Sequence, residues 1–210
     1  MASFRAAFAA VGERHNRVLI EETVSGTVYR FLCLAGRVIA IRFGRPANVE
    51  GDGTHTIADL VELKNAERRL NPGHAGTLLQ LGQGERMFLR QAGLEPDQVP
   101  EAGKLIFLSS LSNLHQGADT IDVTDAVHQS YIELVEHAVN LLPGLVLCGC
   151  DIAIQDTSLP ATGDSYHILE INGGPGLGDH HYPWRGQPQD VAGAIIDYLA
   201  NLTHPLNGYG

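Results

Sequence analysis

Near the C-terminal end, Asp151 opens an apolar alternating stretch, and Glu170-Ile-Asn172-Gly173-Gly174-Pro175 closes another. Glu170 and Asn172 stand two apart on a predicted strand, so both side chains leave the same face. Asp151, on the preceding strand, can face them across a hairpin. Three hard oxygen donors without His or Cys suit Mg²⁺, which takes one or two protein carboxylates and leaves its other positions to water and substrate phosphates. The chemistry this implies is nucleotide-dependent, not zinc hydrolysis or redox work. Taken singly, Asp151 reads as a turn cap and Glu170 as an ordinary strand-edge carboxylate. The glycine pair after Asn172 weighs for a site, because bare backbone lets something large approach closely.

The elements that must position these donors follow from periodicity. Helical spacing over residues 3–11 predicts a helix stopping near Gly12, followed by strands at 17–21, 28–34 and 38–43, the last two joined tightly through Ala35-Gly36-Arg37. Thr54 or Thr56 can cap a helix reaching about Ala66, and a further helix is expected around Glu85 to Gln91. A strand over 104–108 and a polar loop over 109–119 come next. Residues 125–142 form the clearest amphipathic helix, with Val127, Tyr131, Leu134, Val135, Ala138 and Leu142 on one stripe. The donor strands occupy 145–154 and 166–172, and a final helix runs over 190–202. Short links between neighbouring strands favour an antiparallel sheet with helices on one side, an α+β architecture.

Composition narrows the function. The 210 residues suffice for one substantial core or one domain with a smaller lobe, and 44% hydrophobic with 18% charged residues are globular values. With 24 acidic against 14 basic residues and no basic run interleaved with aromatics, nucleic acid is not an expected partner. No apolar run is long enough for a bilayer span, and residues 1–5 lack a signal-peptide core. Cys33, Cys148 and Cys150 sit in apolar strand-like segments and read as buried thiols of a reducing compartment, so the expected location is the cytoplasm.

Several segments together resemble the ATP-grasp superfamily of carboxylate–amine ligases, in particular the C-terminal ATP-grasp module of bifunctional glutathione synthetases, with cyanophycin synthetase nearby. They are Val18-Leu-Ile-Glu-Glu22 with Gly26, Tyr29-Arg30-Phe31-Leu32, Arg45-Pro-Ala-Asn-Val49, Gly51-Asp-Gly-Thr-His-Thr-Ile57 and Ser112-Asn113. Asp122-Val-Thr-Asp125, Gly149-Cys-Asp151, Glu170-Ile-Asn172 and His181-Tyr-Pro183 with Gly186 complete the set. The resemblance implies an ATP-grasp C-terminal lobe over 28–210, with 1–27 a remnant of the central lobe and hinge. It implies ATP and Mg²⁺ as cofactors, with the metal on Asp151, Glu170 and Asn172. Arg30 and Arg45 would carry phosphate-facing charge. Glu21, Glu22 and Val24 would lie on the adenine-reading link, and Asn113 would line the ligand pocket, with Asp122 beside it. The reaction implied passes the γ-phosphoryl of ATP to an amino-acid or peptide carboxylate, and an amine then attacks the acyl phosphate. His180 and His181 read as a polar loop near the substrate mouth, since neighbours on an extended segment point to opposite sides.

The sequence also departs from the family pattern. The segment expected before residue 3, with its phosphate-binding lysine and glycine-rich flap, is not in the chain, nor is the N-terminal substrate lobe. Val28 stands where the family has a ribose-binding Glu; a charge-assisted hydrogen bond is worth about 1.5–3 kcal/mol, so nucleotide affinity would fall roughly tenfold or more. No arginine lies near Ser109, and Gly117-Ala118 replaces an expected glycine pair. Two readings remain open. One is part of an ATP- and Mg²⁺-dependent ligase whose missing lobe comes from an upstream domain or partner chain. The other is a reduced ATP-grasp relative, a binding or assembly module without independent ligase activity.

Overall fold

The computed structural model describes residues 2–202 of the chain. Five strands form the main sheet in the order β5-β2-β1-β6-β7: β1 (Thr27–Leu34), β2 (Arg37–Arg45), β5 (Asp119–Asp122), β6 (Leu147–Ile154) and β7 (Tyr166–Asn172). All neighbours pair antiparallel. A second, two-stranded sheet pairs β3 (Asn48–Glu50) with β4 (Leu105–Phe107). The helices are α1 (Ala2–Gly12), α2 (Ile57–Leu70), α3 (Gln83–Gln91), α4 (Gln129–Asn140), α5 (Gly178–His181) and α6 (Val191–Ala200). This is the antiparallel α+β arrangement that the short strand links predicted, except that helices cover both faces of the main sheet, α4 one and α6 the other, and not one side alone. None of the described helices is long and apolar enough to cross a membrane.

Alternation along β1 divides the core. Phe31 and Cys33 join Ile41, Cys148, Cys150 and Ile152 against Tyr131, Val135 and Val139 of α4. The intervening Leu32 pairs with Ala40 on the opposite face, where Val191 at the start of α6 covers them. All three cysteines are buried free thiols, as their apolar flanks predicted, and burial raises Cys33 above the ordinary thiol range and Cys150 to about 12.

A second core lies between α2, α3 and the small sheet, built from Val49, Ile57, Leu60, Val61, Leu89 and Ile106 among others. Thr56, one of the two expected caps, starts α2 with a reciprocal box: its Oγ1 accepts from the Asp59 N–H, and the Asp59 carboxylate accepts from the Thr56 N–H, each at 3.2 Å. A buried charge cluster joins this lobe to the main sheet. Asp119 is 1% exposed and accepts from Arg68 Nη1 at 2.6 Å, Lys64 Nζ at 2.6 Å and Asn48 Nδ2 at 2.8 Å.

Three expectations are corrected. Residues 17–21 form no strand; Leu19 is 79% and Ile20 60% exposed, and no described segment pairs with them. A short apolar run is not enough without a neighbour to complete the ladder. The loop expected over 109–119 instead leads into β5 at Asp119, where two of the three buried residues, Asp119 and Thr120, are polar and carry no hydrophobic signal. His180 and His181 lie on the short helix α5 and not in an extended polar loop, with His180 buried.

Two tests follow from the buried polar groups. Asp119→Ala leaves Lys64 and Arg68 as uncompensated, largely buried cations, so urea unfolding should show a loss of roughly 3–5 kcal/mol. Desolvation pushes His74 down to about 4 and His180 down to about 3. Below the ordinary histidine value the unfolded chain therefore binds protons that the folded chain does not. Stability should be fully present above about pH 6.5 and decline as the pH falls through 4, a loss on the order of several kcal/mol. His180→Leu should flatten the decline; denaturation midpoints that do not change between pH 7 and pH 4 would contradict it.

Candidate functional site

Antiparallel register aligns three charged side chains across three strands. Arg30 on β1 is the direct partner of Asp151 on β6, and Asp151 is the direct partner of Glu170 on β7. Arg30 engages Asp151 with two parallel bonds, from Nε to Oδ1 and from Nη2 to Oδ2 at 2.6 Å, while Nη2 stands 3.8 Å from Glu170 Oε1. This fork on a carboxylate is the geometry a guanidinium is built for. The hydrogen bond to Asp151 holds Arg30 above its already high ordinary pKa, with burial opposing.

Two local devices make the row possible. Glycine at 149 leaves space for the arginine stem: a Cβ there would lie 2.8 Å from Arg30 Cδ. A bulge in β7 is the second, because Asp151 pairs with Glu170 whereas Ile152 pairs with Ile168, leaving Leu169 as the extra residue. Such an insertion re-aims the residues beyond it. It lets Ile168 stay beside Ile152 while Glu170 joins Asp151 on the other face. Asn172, partner of Gly149, follows on the face of Glu170, and its Oδ1 accepts from the Gly174 N–H at 2.8 Å.

A cleft of about 510 Å³ opens over Arg30 and Asp151, with Arg42, Gly44, Asn113 and Asp179 in its walls. Arg42 is the β2 partner of Arg30 and forms an ion pair with Asp179 at 3.1 Å; burial lowers its pKa, opposed by Asp179. Gly44 lets the loop across β2 come close, since a Cβ would meet the Ser112 carbonyl oxygen at 2.6 Å. That approach brings Asn113 into the cleft, where its Oδ1 accepts from the His115 N–H at 2.9 Å.

Of the residues singled out in the sequence, Arg30, Asn113 and Asp151 line this cleft, and Glu170 and Asn172 lie beside it on β7. Arg45 does not join them: it leaves β2 on the side opposite Arg42 and Gly44 and lines a separate cleft with Lys64 and Trp184. Glu21 and Glu22 are exposed and Val24 is half-buried on the unpaired segment before β1, outside the cleft. Asp122 is committed elsewhere, accepting from Thr124 Oγ1 at 2.6 Å and Gln189 Nε2 at 3.2 Å. Arg42 and Asp179 went unnoticed in the sequence. The hairpin through Gly36 carried the signal for Arg42, since pairing β1 with β2 sets it opposite Arg30, although a register shift near Ile39 obscures the count.

The donors fit a hard divalent cation. Among the described residues no three His, Cys, Asp or Glu side chains converge as a metal group. Asp151 and Glu170 instead offer two carboxylates at paired positions, and the Glu170 side chain is 59% exposed with no hydrogen bond among the described residues. Each carboxylate oxygen of Asp151 keeps a lone pair beyond the one Arg30 uses. Oxygen donors of this number suit Mg²⁺.

No protein-family model matches the sequence. The chain is similar to the glutathione biosynthesis bifunctional protein GshAB of Enterococcus faecalis, 39% identical over 186 residues, covering 87% of this chain and 24% of that protein. The namesake of Clostridium perfringens is 36% identical, over 88% of this chain and 24% of its own length. Among solved structures, a bifunctional glutathione synthetase from Pasteurella multocida superposes with a TM-score of 0.75 at 32% identity, over 85% of this chain and 25% of that chain. The chain thus spans about a quarter of the length of the relatives it matches. Sequence and fold together make it a homologue of that segment of the bifunctional glutathione synthetases, a match consistent with an ATP-grasp module.

Proposed function

We propose that the chain is the C-terminal part of an ATP-grasp carboxylate–amine ligase of the glutathione-synthetase or cyanophycin-synthetase kind. Residues 28–210 would be the C-terminal lobe and 1–27 the end of the central lobe and hinge; Met1 and 203–210 lie outside the described residues. The substrates in this reading are ATP, an amino-acid or peptide carboxylate and an amine, and an upstream domain or partner chain supplies the rest of the ligase. Buried free cysteines fit a reducing, cytoplasmic setting.

The observation that carries the reading is the row Arg30–Asp151–Glu170, with Arg30 and Asp151 lining an open cleft and Glu170 beside it on β7. Asp151 and Glu170, with the Asn172 amide oxygen, would hold Mg²⁺. Bound there, the metal supplies charge neutralisation at phosphate oxygens. Arg30 and Arg42 place two guanidinium groups at the same cleft, where fixed positive charge stabilises a transferring phosphoryl group without reorganisation. Asp151 and Asp179 hold these arginines in place before any ligand arrives. Asn113 presents a polar side chain at the cleft wall, and Glu21, Glu22 and Val24 would meet the adenine from the segment before β1. Arg45 retains no part in the phosphate cleft in this account.

One observation favours the second reading, a binding or assembly module without ligase activity of its own. Val28 lines the cleft and offers a nucleotide no charge-assisted bond. A thermal shift separates the two: millimolar Mg·ATP should raise the melting temperature by mass action if the chain binds nucleotide, and leave it unchanged if it does not.

Calorimetry tests the assignment directly. Glu170→Gln should abolish Mg·ATP binding, and undiminished affinity in that variant would remove the metal assignment. Gly149→Ala should displace the Arg30 stem and weaken Mg·ATP about tenfold, roughly the loss of one charge-assisted hydrogen bond, while the melting temperature stays nearly constant because a flexible side chain can yield. Wild-type affinity in Gly149→Ala would show that the Arg30 fork is not needed.

A further inference from the structure

The Arg45 cleft on the other side of β2 has a construction that the phosphate site does not explain. It encloses about 260 Å³ between β2, β3, α2 and the segment at Trp184. Its floor is the Asp119 cluster, so Lys64 has its protons committed to Asp119 and to the backbone and side-chain oxygens of Asn48. Trp184 forms one wall. Lys64 Nζ lies 5.1 Å and Arg68 Cζ 5.7 Å from its ring, and His74 meets it edge-on at 5.5 Å. The Trp184 backbone is pinned as well, its N–H donating to the Thr120 carbonyl at 2.7 Å, and the next carbonyl, of Arg185, accepts from the Asp122 N–H at 2.9 Å. The aromatic wall is therefore fixed before any ligand arrives.

Above this floor stand charges with no internal partner. Arg45 and Arg185 make no side-chain hydrogen bond or ion pair among the described residues, nor do Glu50 and Glu67, yet all four line the one cleft. Two free cations would by themselves invite an anion. The two free carboxylates beside them, with Asp52 also in the wall, repel a polyanion such as a nucleotide phosphate. A ligand that carries one positive and one negative group close together satisfies both sets. The volume suits a molecule of amino-acid or dipeptide size, well below that of a nucleotide. Past Trp184 the cleft continues into a shallower one of about 410 Å³, with Tyr182, Pro183 and Pro188 in its walls, where an apolar side chain would fit.

We propose that the cleft between Arg45, Glu67, Trp184 and Arg185 is a second binding site, for a small zwitterion of the amino-acid type, separate from the Arg30–Asp151 cleft. Its carboxylate would meet Arg45 and Arg185, its ammonium Glu50 and Glu67, and its body the Trp184 ring. The site stands whether or not the Arg30 cleft takes nucleotide.

Trp184 is the only tryptophan in the chain, so its emission reports on this cleft without labelling. The full chain would be titrated with glycine, L-glutamate, L-lysine and glycylglycine, and in parallel with N-acetylglycine, which is only an anion, and glycinamide, which is only a cation. At least one zwitterion should change the emission saturably, and the two singly charged probes should bind at least tenfold more weakly. Arg185→Gln and Glu67→Gln alter exposed side chains and should keep the wild-type melting temperature. Each should weaken the zwitterion response tenfold or more and leave Mg·ATP calorimetry unchanged. A lack of response to all four zwitterions, or equal binding of N-acetylglycine, overturns the proposal. So does a response that both variants retain, or one that Mg·ATP abolishes by competition.

Discussion

Register between β1, β6 and β7 is the constraint from which the proposed site derives. Antiparallel pairing sets Arg30 beside Asp151 and Asp151 beside Glu170, and the side chains then have no choice of neighbour. A slip of one residue in any of these strands would send its donor to the face packed against α4. The apolar residues enforce the register: Phe31, Cys150 and Ile152 are all buried in that packed face, so a slip would also expose the core. Stability and chemistry are tied to the same pairing. The fork and the proposed metal donors are held by a scaffold whose order comes from burial; in the proposed ligase, charge held in this way would need no reorganisation at the moment of reaction.

A second physical theme is the buried polar joint at Asp119. The lobe of α2, α3 and the small sheet has its own apolar cluster and meets β5 through a carboxylate shared by Lys64, Arg68 and Asn48. Buried ion pairs add little net stability over apolar packing, but they penalise every arrangement that separates the partners. The joint therefore specifies where the lobe sits. Its side products are two clefts on opposite faces of β2, one beside the Arg30 fork and one beside Trp184, with Gly44 and Arg45 as adjacent residues of the two.

Much of this was legible in the sequence where hydrophobic period and local chemistry agree. The capping threonine of α2, the stripe of Tyr131 and Val135 on α4, and the two donor strands all follow from pattern alone, although α4 starts at Gln129 and leaves Val127 before it. So did the placing of Asp151 and of Glu170 with Asn172 on neighbouring strands, although the bulge at Leu169 that sets Glu170 opposite Asp151 left no trace in composition. Non-local partners were the limit. Residues 17–21 have the apolar run of a short strand and no described neighbour to pair with, whereas Asp119–Asp122 is a strand whose buried residues include an aspartate and a threonine. Arg45 fits the family's spacing, yet strand parity puts Arg42 beside Arg30 in its stead. Which arginine faces the cleft depends on counting through a register irregularity, and no local rule performs that count.

The central claim, that Asp151, Glu170 and Asn172 hold a divalent cation against nucleotide phosphates, is most directly tested by paramagnetic NMR. Mn²⁺ would replace Mg²⁺ in a complex of the chain with ADP, and amide resonances would be followed as substoichiometric metal is added. The account predicts selective broadening centred on Gly149–Asp151 and Glu170–Gly174, with Arg30 and Asn113 next and the Trp184 cleft unaffected. Broadening centred elsewhere, or none at saturating Mn·ADP, would contradict it.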